Sequence, residues 1–364
     1  MLQQEENRLV FGYDSEKLWV EPWGPNALRI RATKSASMPT SPQGLQPTPP
    51  STPAPQISVP KDGAASITNG KIKATITPHG KLTIFDAAGT VMLEEYARNR
   101  RDLTAEKCSA LEVVAREFKP ATGGDYHLTA RFESQDPHEK IFGMGQYQQP
   151  FLDLKGLDLE MAQRNSQASV PFAVSSRGYG FLWNNPAVGR AVFGKNVTSF
   201  EAYATDVLDY WVVVGESTRE IVEAFGGVAG RVPMMPEYGL GFWQCKLRYE
   251  TQEELMQVAR EYKRRNLPID VIVVDFFHWT MQGEWKFDPE FWPDPGKAPF
   301  SRNLISSLYP SAAPSLTVVS KITSRDGQGA QVPRHRADGF HLANRRQALG
   351  ELPRDDRSRP PSPL

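Results

Sequence analysis

Cysteine is scarce in this chain. Two residues in 364, Cys108 and Cys245, cannot form a disulfide framework and suit a reducing compartment. A dominant charge is also lacking. Lys+Arg and Asp+Glu are both 42, so no overall field favours polyanions. No apolar run approaches the ~20 residues that cross a bilayer. The opening "MLQQEENRLV" has no basic segment followed by an apolar stretch, so no secretory leader is read there. Asn196-Val197-Thr198 fits a glycosylation sequon, but without export it has no modifying machinery to meet. No second His or Cys stands at ligand spacing from His278, so no metal and no other cofactor are expected. Together these absences point to a soluble, cytoplasmic protein with no membrane partner.

What is present changes along the chain. From residue 8 to about 233, segments such as "ALRIRAT", "GKIKATITPHGKLTIFD", "DYHLTARFE" and "VLDYWVVVGE" alternate apolar and polar residues between turn-forming residues. This density of short strands predicts an antiparallel β-sandwich over residues 1–233. Inside it, "PTSPQGLQPTPPSTPAPQ" (39–56) is Pro-rich and reads as an exposed loop.

From Pro236 the period lengthens. "YGLGFWQCKL" reads as a short apolar strand. "TQEELMQVAREYKRRN" then spaces Leu255, Val258, Ala259 and Tyr262 as one helix face. Thr251 with Glu254 forms a capping box, and Lys263, Arg264 and Arg265 suit the negative end of the helix dipole. "LPIDVIVVDFF" follows as a continuous apolar strand of the kind buried on both faces of a parallel sheet. One strand–helix–strand unit cannot close a barrel alone.

Asp275 ends that strand. In (β/α) folds, residues just past the C-terminal strand ends line the active site. A carboxylate beside Phe276, Phe277, His278 and Trp279 suits a sugar: the acid for hydroxyls, ring faces for apolar C–H patches. The bland reading is a turn-capping Asp with its aromatics in the core. Glu284, Asp288, Glu290 and Asp294 are candidates for a glycosidase carboxylate pair. In "FDPEFWPDP", however, Asp before Pro reads as a turn former, so these acids are taken as structural.

The run "EYGLGFWQCKLRYETQEELMQVAREYKRRNLPIDVIVVDFFHW" followed by "GEWKFDPEFWPDP" resembles the start of the catalytic barrel of glycoside hydrolase family 31, which includes α-glucosidases and α-xylosidases. Upstream, "GMGQ", "NSQASVPFAVSSRGYGFLWNN" and "DYWVVVGESTREIVEAFGGVAGR" are similar to the N-terminal sandwich of that family. The wording "FFHW" with "QGEWKFDP" looks most like the α-xylosidase branch. The resemblance spans roughly residues 8 to 295. It implies a β-sandwich followed by the first βαβ portion of a (β/α)8 TIM barrel, and retaining hydrolysis of an α-glycoside through two carboxylates. By the same resemblance Asp275 matches a substrate-hydroxyl ligand, and Phe277 and Trp279 match neighbouring pocket positions. The nucleophile and the acid/base belong to later motifs that do not occur here, so the substrate-binding set is Asp275, Phe277 and Trp279 and the catalytic set is empty. Barrel sequence is expected over 234–296.

After Pro295 the aromatic-acidic pattern stops. Residues 296–364 hold nine Arg, eight Pro and no Trp. Read literally, this is a disordered basic tail of the kind that binds nucleic acid. Read through its codons, it is an out-of-frame product. Gly296-Lys297 can be coded GGT AAG, a splice-donor-like sequence, and the AG of Arg325 coded AGA supplies an acceptor. Joining the two shifts the frame by one base, and residues 326–331 then read Met-Val-Lys-Glu-Leu-Lys. Residues from Ala337 to Gln347 read Leu-Met-Val-Ser-Ile-Trp-Pro-Thr-Val-Asp in the same shifted frame. A helix and then an apolar strand are what the family has next. The expectation is therefore a disordered, intron-derived tail over 297–364, a glycoside as partner, and no nucleic acid. A non-catalytic carbohydrate-binding sandwich is the alternative from another class.

Overall fold

The computed structural model describes residues 2–294, except 51, 101–103, 105–106, 165, 276–277 and 282–285, together with the backbone of a strand at 318–321. The alternating segments form three antiparallel sheets. An eight-stranded sheet runs in the order Leu2–Glu5, Arg8–Tyr13, Glu16–Pro22, Ala27–Thr33, Leu208–Val214, Tyr179–Trp183, Ala168–Ser175, Ile141–Gln146. A five-stranded sheet is ordered Arg116–Pro120, Tyr126–Glu133, Val197–Thr205, Gly189–Phe193, Asp158–Met161. A second five-stranded sheet is a meander from Gln56–Ser58 to Val91–Glu94. The alternating apolar residues of all three meet in one core that includes Leu28, Ile30, Ile67, Ala74, Phe132, Phe200 and Tyr210. Edge-to-face and stacked rings, such as Phe132 on Tyr210 and Phe181 on Phe200, fill its centre.

Alternation predicts one wet face, yet Ala27–Thr33 and Leu208–Val214 are buried at every position. The second face is covered from two sides. Helix Thr218–Ala229, capped by Ser217 accepting from the Glu220 amide, packs Ile221 and Val228 on Trp211 and Val213. The Pro-rich segment lies over the polar residues of the same face. Arg29 donates to the Ser41 carbonyl at 3.1 Å, Arg31 to the Pro39 carbonyl at 2.9 Å, and Asn184 exchanges bonds with Gly44 and Pro42. Met38 and Leu45 are buried, and the Gln46 amide donates to the Val228 carbonyl at 2.7 Å. The first part of the segment read as an exposed loop is thus a pinned strap. Its composition hid this, because backbone carbonyls and amides make most of the bonds that hold it, with the buried Leu45 as an apolar anchor.

Beyond the linker, the expected strand–helix–strand unit is present with one shortening. The apolar run around residue 240 divides into a 3-10 turn, Glu237–Leu240, and a two-residue strand, Trp243–Gln244. That strand pairs in parallel with Val271–Val274 in the register Gln244 with Ile272. Helix Gln252–Arg264 lies between them in sequence and buries Leu255, Met256 and Ala259 against Ile272, Val274 and Trp292. Val271–Val274 is buried throughout, as a parallel strand covered on both faces should be. Its other edge is met by Val318–Lys321, which runs antiparallel. No ordered strand was expected after residue 296, so this one is a departure. The rest of 297–364 lies outside the described residues. Among the described residues no helix is long and apolar enough to cross a membrane.

Candidate active site

The site is built where the first two parallel strands end. Gly241 lets the chain enter the first strand close to Asp270. A Cβ there would stand 2.1 Å from the Asp270 carboxylate, which instead accepts the Phe242 amide at 2.9 Å. Gln244 is then fixed by two side chains. It donates to the Tyr249 hydroxyl at 3.0 Å and accepts from the Tyr262 hydroxyl, on the helix, at 2.6 Å. The next residue, Cys245, projects its thiol to Asp275 Oδ2 at 3.6 Å, within reach of a sulfur hydrogen bond. Burial first, and then the hydrogen bond and charge of Asp275, push the Cys245 thiol up, so it stays protonated and donates.

Asp275 therefore stands one residue past a fully buried strand, half-buried, with a neutral donor at its side. Cys245 was not singled out in the sequence. A two-residue strand has no period, and the only signal was that Cys245 follows its strand as Asp275 follows the next. The aromatics expected around Asp275 divide. Trp279 is nearly buried and packs edge-on against His278 with centroids 4.7 Å apart. Phe277 lies outside the described residues, as do Phe276 and Glu284. His278 is buried; its Nδ1 sits 3.1 Å from the Asp275 carbonyl, and burial lowers its pKa, so the ring is neutral and braces the turn. Among the described residues no group of three or more His, Cys, Asp or Glu side chains could hold a metal.

Of the acids of "FDPEFWPDP", Asp288 is a turn former. Asp288 accepts the Glu290 amide at 3.0 Å, and its own amide donates to the His278 carbonyl at 2.7 Å. The Asp294 amide donates to Gln252 at 3.1 Å, tying this turn to the start of the helix. Glu290 is exposed at the rim of the same turn.

A large antiparallel sandwich leads into a parallel strand–helix–strand unit with an acid at the strand end. Residues 17–190 match the glycosyl hydrolase 31 N-terminal galactose mutarotase-like domain, and residues 232–324 match the glycosyl hydrolases family 31 TIM-barrel domain. Over these two segments the chain belongs to glycoside hydrolase family 31. The second match runs past Pro295, where the quoted barrel motifs end.

The chain is 47% identical over 303 residues to "Uncharacterized family 31 glucosidase ORF2" of Pseudescherichia vulneris, covering 81% of this chain and 56% of that protein. It is 35% identical over 204 residues to α-xylosidase A of Aspergillus niger, covering 54% of this chain and 28% of that one. Among solved structures, a family 31 α-xylosidase from a soil metagenome, complexed with xylose, superposes with a TM-score of 0.73 at 50% identity. The superposition covers 81% of this chain and 44% of that one. The chain thus spans about half the length of these two, and less of the Aspergillus enzyme.

Proposed function

We propose that this sequence is the first half of a retaining α-glycosidase acting on α-xylosides or α-glucosides, with Asp275 as a ligand of the sugar hydroxyls. The observation that carries the reading is Asp275 itself, held at the end of a rigid buried strand beside the Cys245 thiol, in a chain 50% identical to an α-xylosidase solved with xylose. A carboxylate there can accept two hydroxyl protons, and a ring such as Trp279 or Phe277 can cover the apolar face of the sugar. In retaining hydrolysis one carboxylate attacks the anomeric carbon while a second carboxylic acid protonates the leaving oxygen. Water then releases the glycosyl-enzyme ester. We assign neither role to any residue of this chain. The Asp288 carboxylate is already used in its own turn, and Asp275 is read as a binding residue.

On this reading residues 297–364 are the translation of a retained intron and its shifted downstream frame, and the chain as given does not turn over substrate. The spliced transcript encodes Glu-Met-Val-Lys-Glu-Leu-Lys after Pro295, and its longer product is the enzyme. Two exposed free thiols, Cys108 and Cys245, suit the reducing cytoplasm as its compartment. Sequencing the transcript across this junction and assaying both products on aryl α-xylosides and α-glucosides tests the reading. Hydrolysis by the longer product alone is expected. Turnover by the given chain that disappears with Asp275→Asn would overturn the assignment of Asp275 as a binding residue only.

A further inference from the structure

A groove of about 1070 Å3 lies on the sandwich, built from residues between Phe11 and Arg116 and so distinct from the Asp275 site. Its floor is an ion cluster. Arg116 donates to Glu16 at 2.6 Å, to the Gly80 carbonyl at 2.9 Å, and to Glu95, which also accepts the Leu82 amide at 2.8 Å. The Arg116 and Glu95 side chains are 9% and 3% exposed. Gly80, at φ +83°, allows the close approach of this turn: a Cβ there would stand 2.5 Å from the Phe11 ring. One guanidinium therefore fixes the three segments that wall the groove: the Glu16 strand, the turn before Leu82, and the stretch after Glu94.

Such a cluster is a poor way to gain stability, since well-packed apolar residues do as well without the desolvation cost. Its distinctive effect is to hold the walls at a set spacing. Along the rim, Tyr13 is 71% exposed, and His79, Arg100 and Glu112 are exposed. None of these four side chains has a hydrogen-bond or ion-pair partner among the described residues.

The chemistry of the rim selects among ligands. Counted over the whole lining, Lys81, Arg100 and Arg116 are matched by Glu16, Glu95 and Glu112, so no anion is favoured. An exposed phenol face suits the C–H patches of a pyranose, while planar Arg, Glu and His groups suit vicinal hydroxyls. The volume is at the upper limit of the roughly 300–1,000 Å3 of single-ligand pockets. It fits several linked sugars and is oversized for one.

We propose that this groove is a second binding site, for an α-linked oligosaccharide, which holds a chain substrate on the sandwich separately from the Asp275 site. The choice of sugar rests on the reading of the protein as an α-glycosidase. The test is calorimetric titration of the full chain with maltotriose, isomaltotriose and an α-xylosyl-glucose disaccharide. Tyr13→Ala, the pair Arg100→Ala/Glu112→Gln, and Asp275→Ala are titrated in parallel. All these residues lie at the surface or past a strand end, and unchanged circular dichroism checks their folding. At least one trisaccharide is expected to bind, more tightly than the disaccharide. Tyr13→Ala should weaken it about tenfold or more, the double variant likewise, and Asp275→Ala should not. Binding lost with Asp275→Ala but retained in Tyr13→Ala overturns the groove and leaves the α-glycosidase reading standing. The absence of binding by all three sugars also overturns it, and hydrolysis by the longer product decides the other reading independently.

Discussion

Arg29 and Asp209 are each 1% exposed, joined at 3.0 and 2.5 Å, with Asn184 donating a third bond to the same carboxylate at 2.8 Å. Arg29 also stacks over the Trp23 ring, 4.5 Å from its centroid, and reaches the strap at Ser41. Removing only one partner leaves a buried charge uncompensated, which costs about 3–5 kcal/mol. Arg29→Met should therefore lower urea-unfolding stability by about that amount. Arg29→Met with Asp209→Leu should recover most of it, less what the strap loses at Ser41. If the double variant is no more stable than the single, the pair's charge is not what the site requires.

Glu94 makes the same argument in pH. Burial would raise its carboxyl, but hydrogen bonds from Lys107, Lys81 and Gln135 outweigh burial and hold it at about 2, below an ordinary value of 4.5. The folded state therefore keeps the carboxylate where the unfolded chain takes up a proton. The stabilisation is complete above about pH 4.5 and is lost as pH falls through about 2. With solvent screening it amounts to about 1–2 kcal/mol. Glu94→Gln should flatten the melting-temperature profile between those limits and leave its shape at neutral pH unchanged. A profile as steep as that of the unsubstituted protein would show that other carboxylates govern acid unfolding.

Among the secondary-structure elements, what was legible followed from period. Strands such as Ala65–Asn69 and Ile72–Ile76 bury alternate residues, and the helix Gln252–Arg264 buries Leu255 and Ala259 of the expected face, with Val258 and Tyr262 half-buried and Met256 buried in addition. The eight-stranded sheet's second face was not readable, because Arg29, Arg31 and Asp209 look like solvent-facing alternates until a covering layer is known. That layer was disguised as low complexity. The position of Asp275 at a strand end was legible because it ends an unbroken apolar run, whereas that of Cys245 was not, since its strand is too short to show a pattern.

Capping chemistry was legible in outline and differs in detail. Thr251 accepts the Glu254 amide at 3.1 Å as a capping box requires, but Glu254 returns its bond to the Glu250 amide at 2.8 Å, one residue earlier. Thr251→Ala should cost about 1 kcal/mol, and because this helix carries the Tyr262 hydroxyl that fixes Gln244, the loss should be local. Amide exchange is expected to quicken at Leu255 and Met256 while the sandwich strands keep their protection. Equal loss of protection in both regions would mean that the helix and the sandwich unfold as one unit.

For the whole molecule, the sandwich and the barrel portion differ in how completely they bury apolar surface. The sandwich closes on itself, with three sheets around one core. The barrel portion does not: Val232 is 92% exposed, Met234 93%, Leu240 79% and Leu247 68%, on the linker and around the first parallel strand. Large apolar side chains exposed to this degree are an aggregation hazard. A closed (β/α)8 barrel has only parallel strands, so the antiparallel Val318–Lys321 occupies an edge where the barrel would continue with a parallel one. If the longer product supplies the remaining strands and helices, these apolar residues become interior. The chain as given should then self-associate and bind a hydrophobic dye such as ANS, while the longer product should do neither. Substituting Val232, Met234 and Leu240 by Ser separates this from a generally poor fold. In the given chain the substitutions should reduce association measured by light scattering. In the longer product the same changes should lower thermal stability, because residues that were interior are now polar. A given chain that is monodisperse and silent to the dye would show that its apolar face is already satisfied, and the view of it as an open half of a barrel would fail.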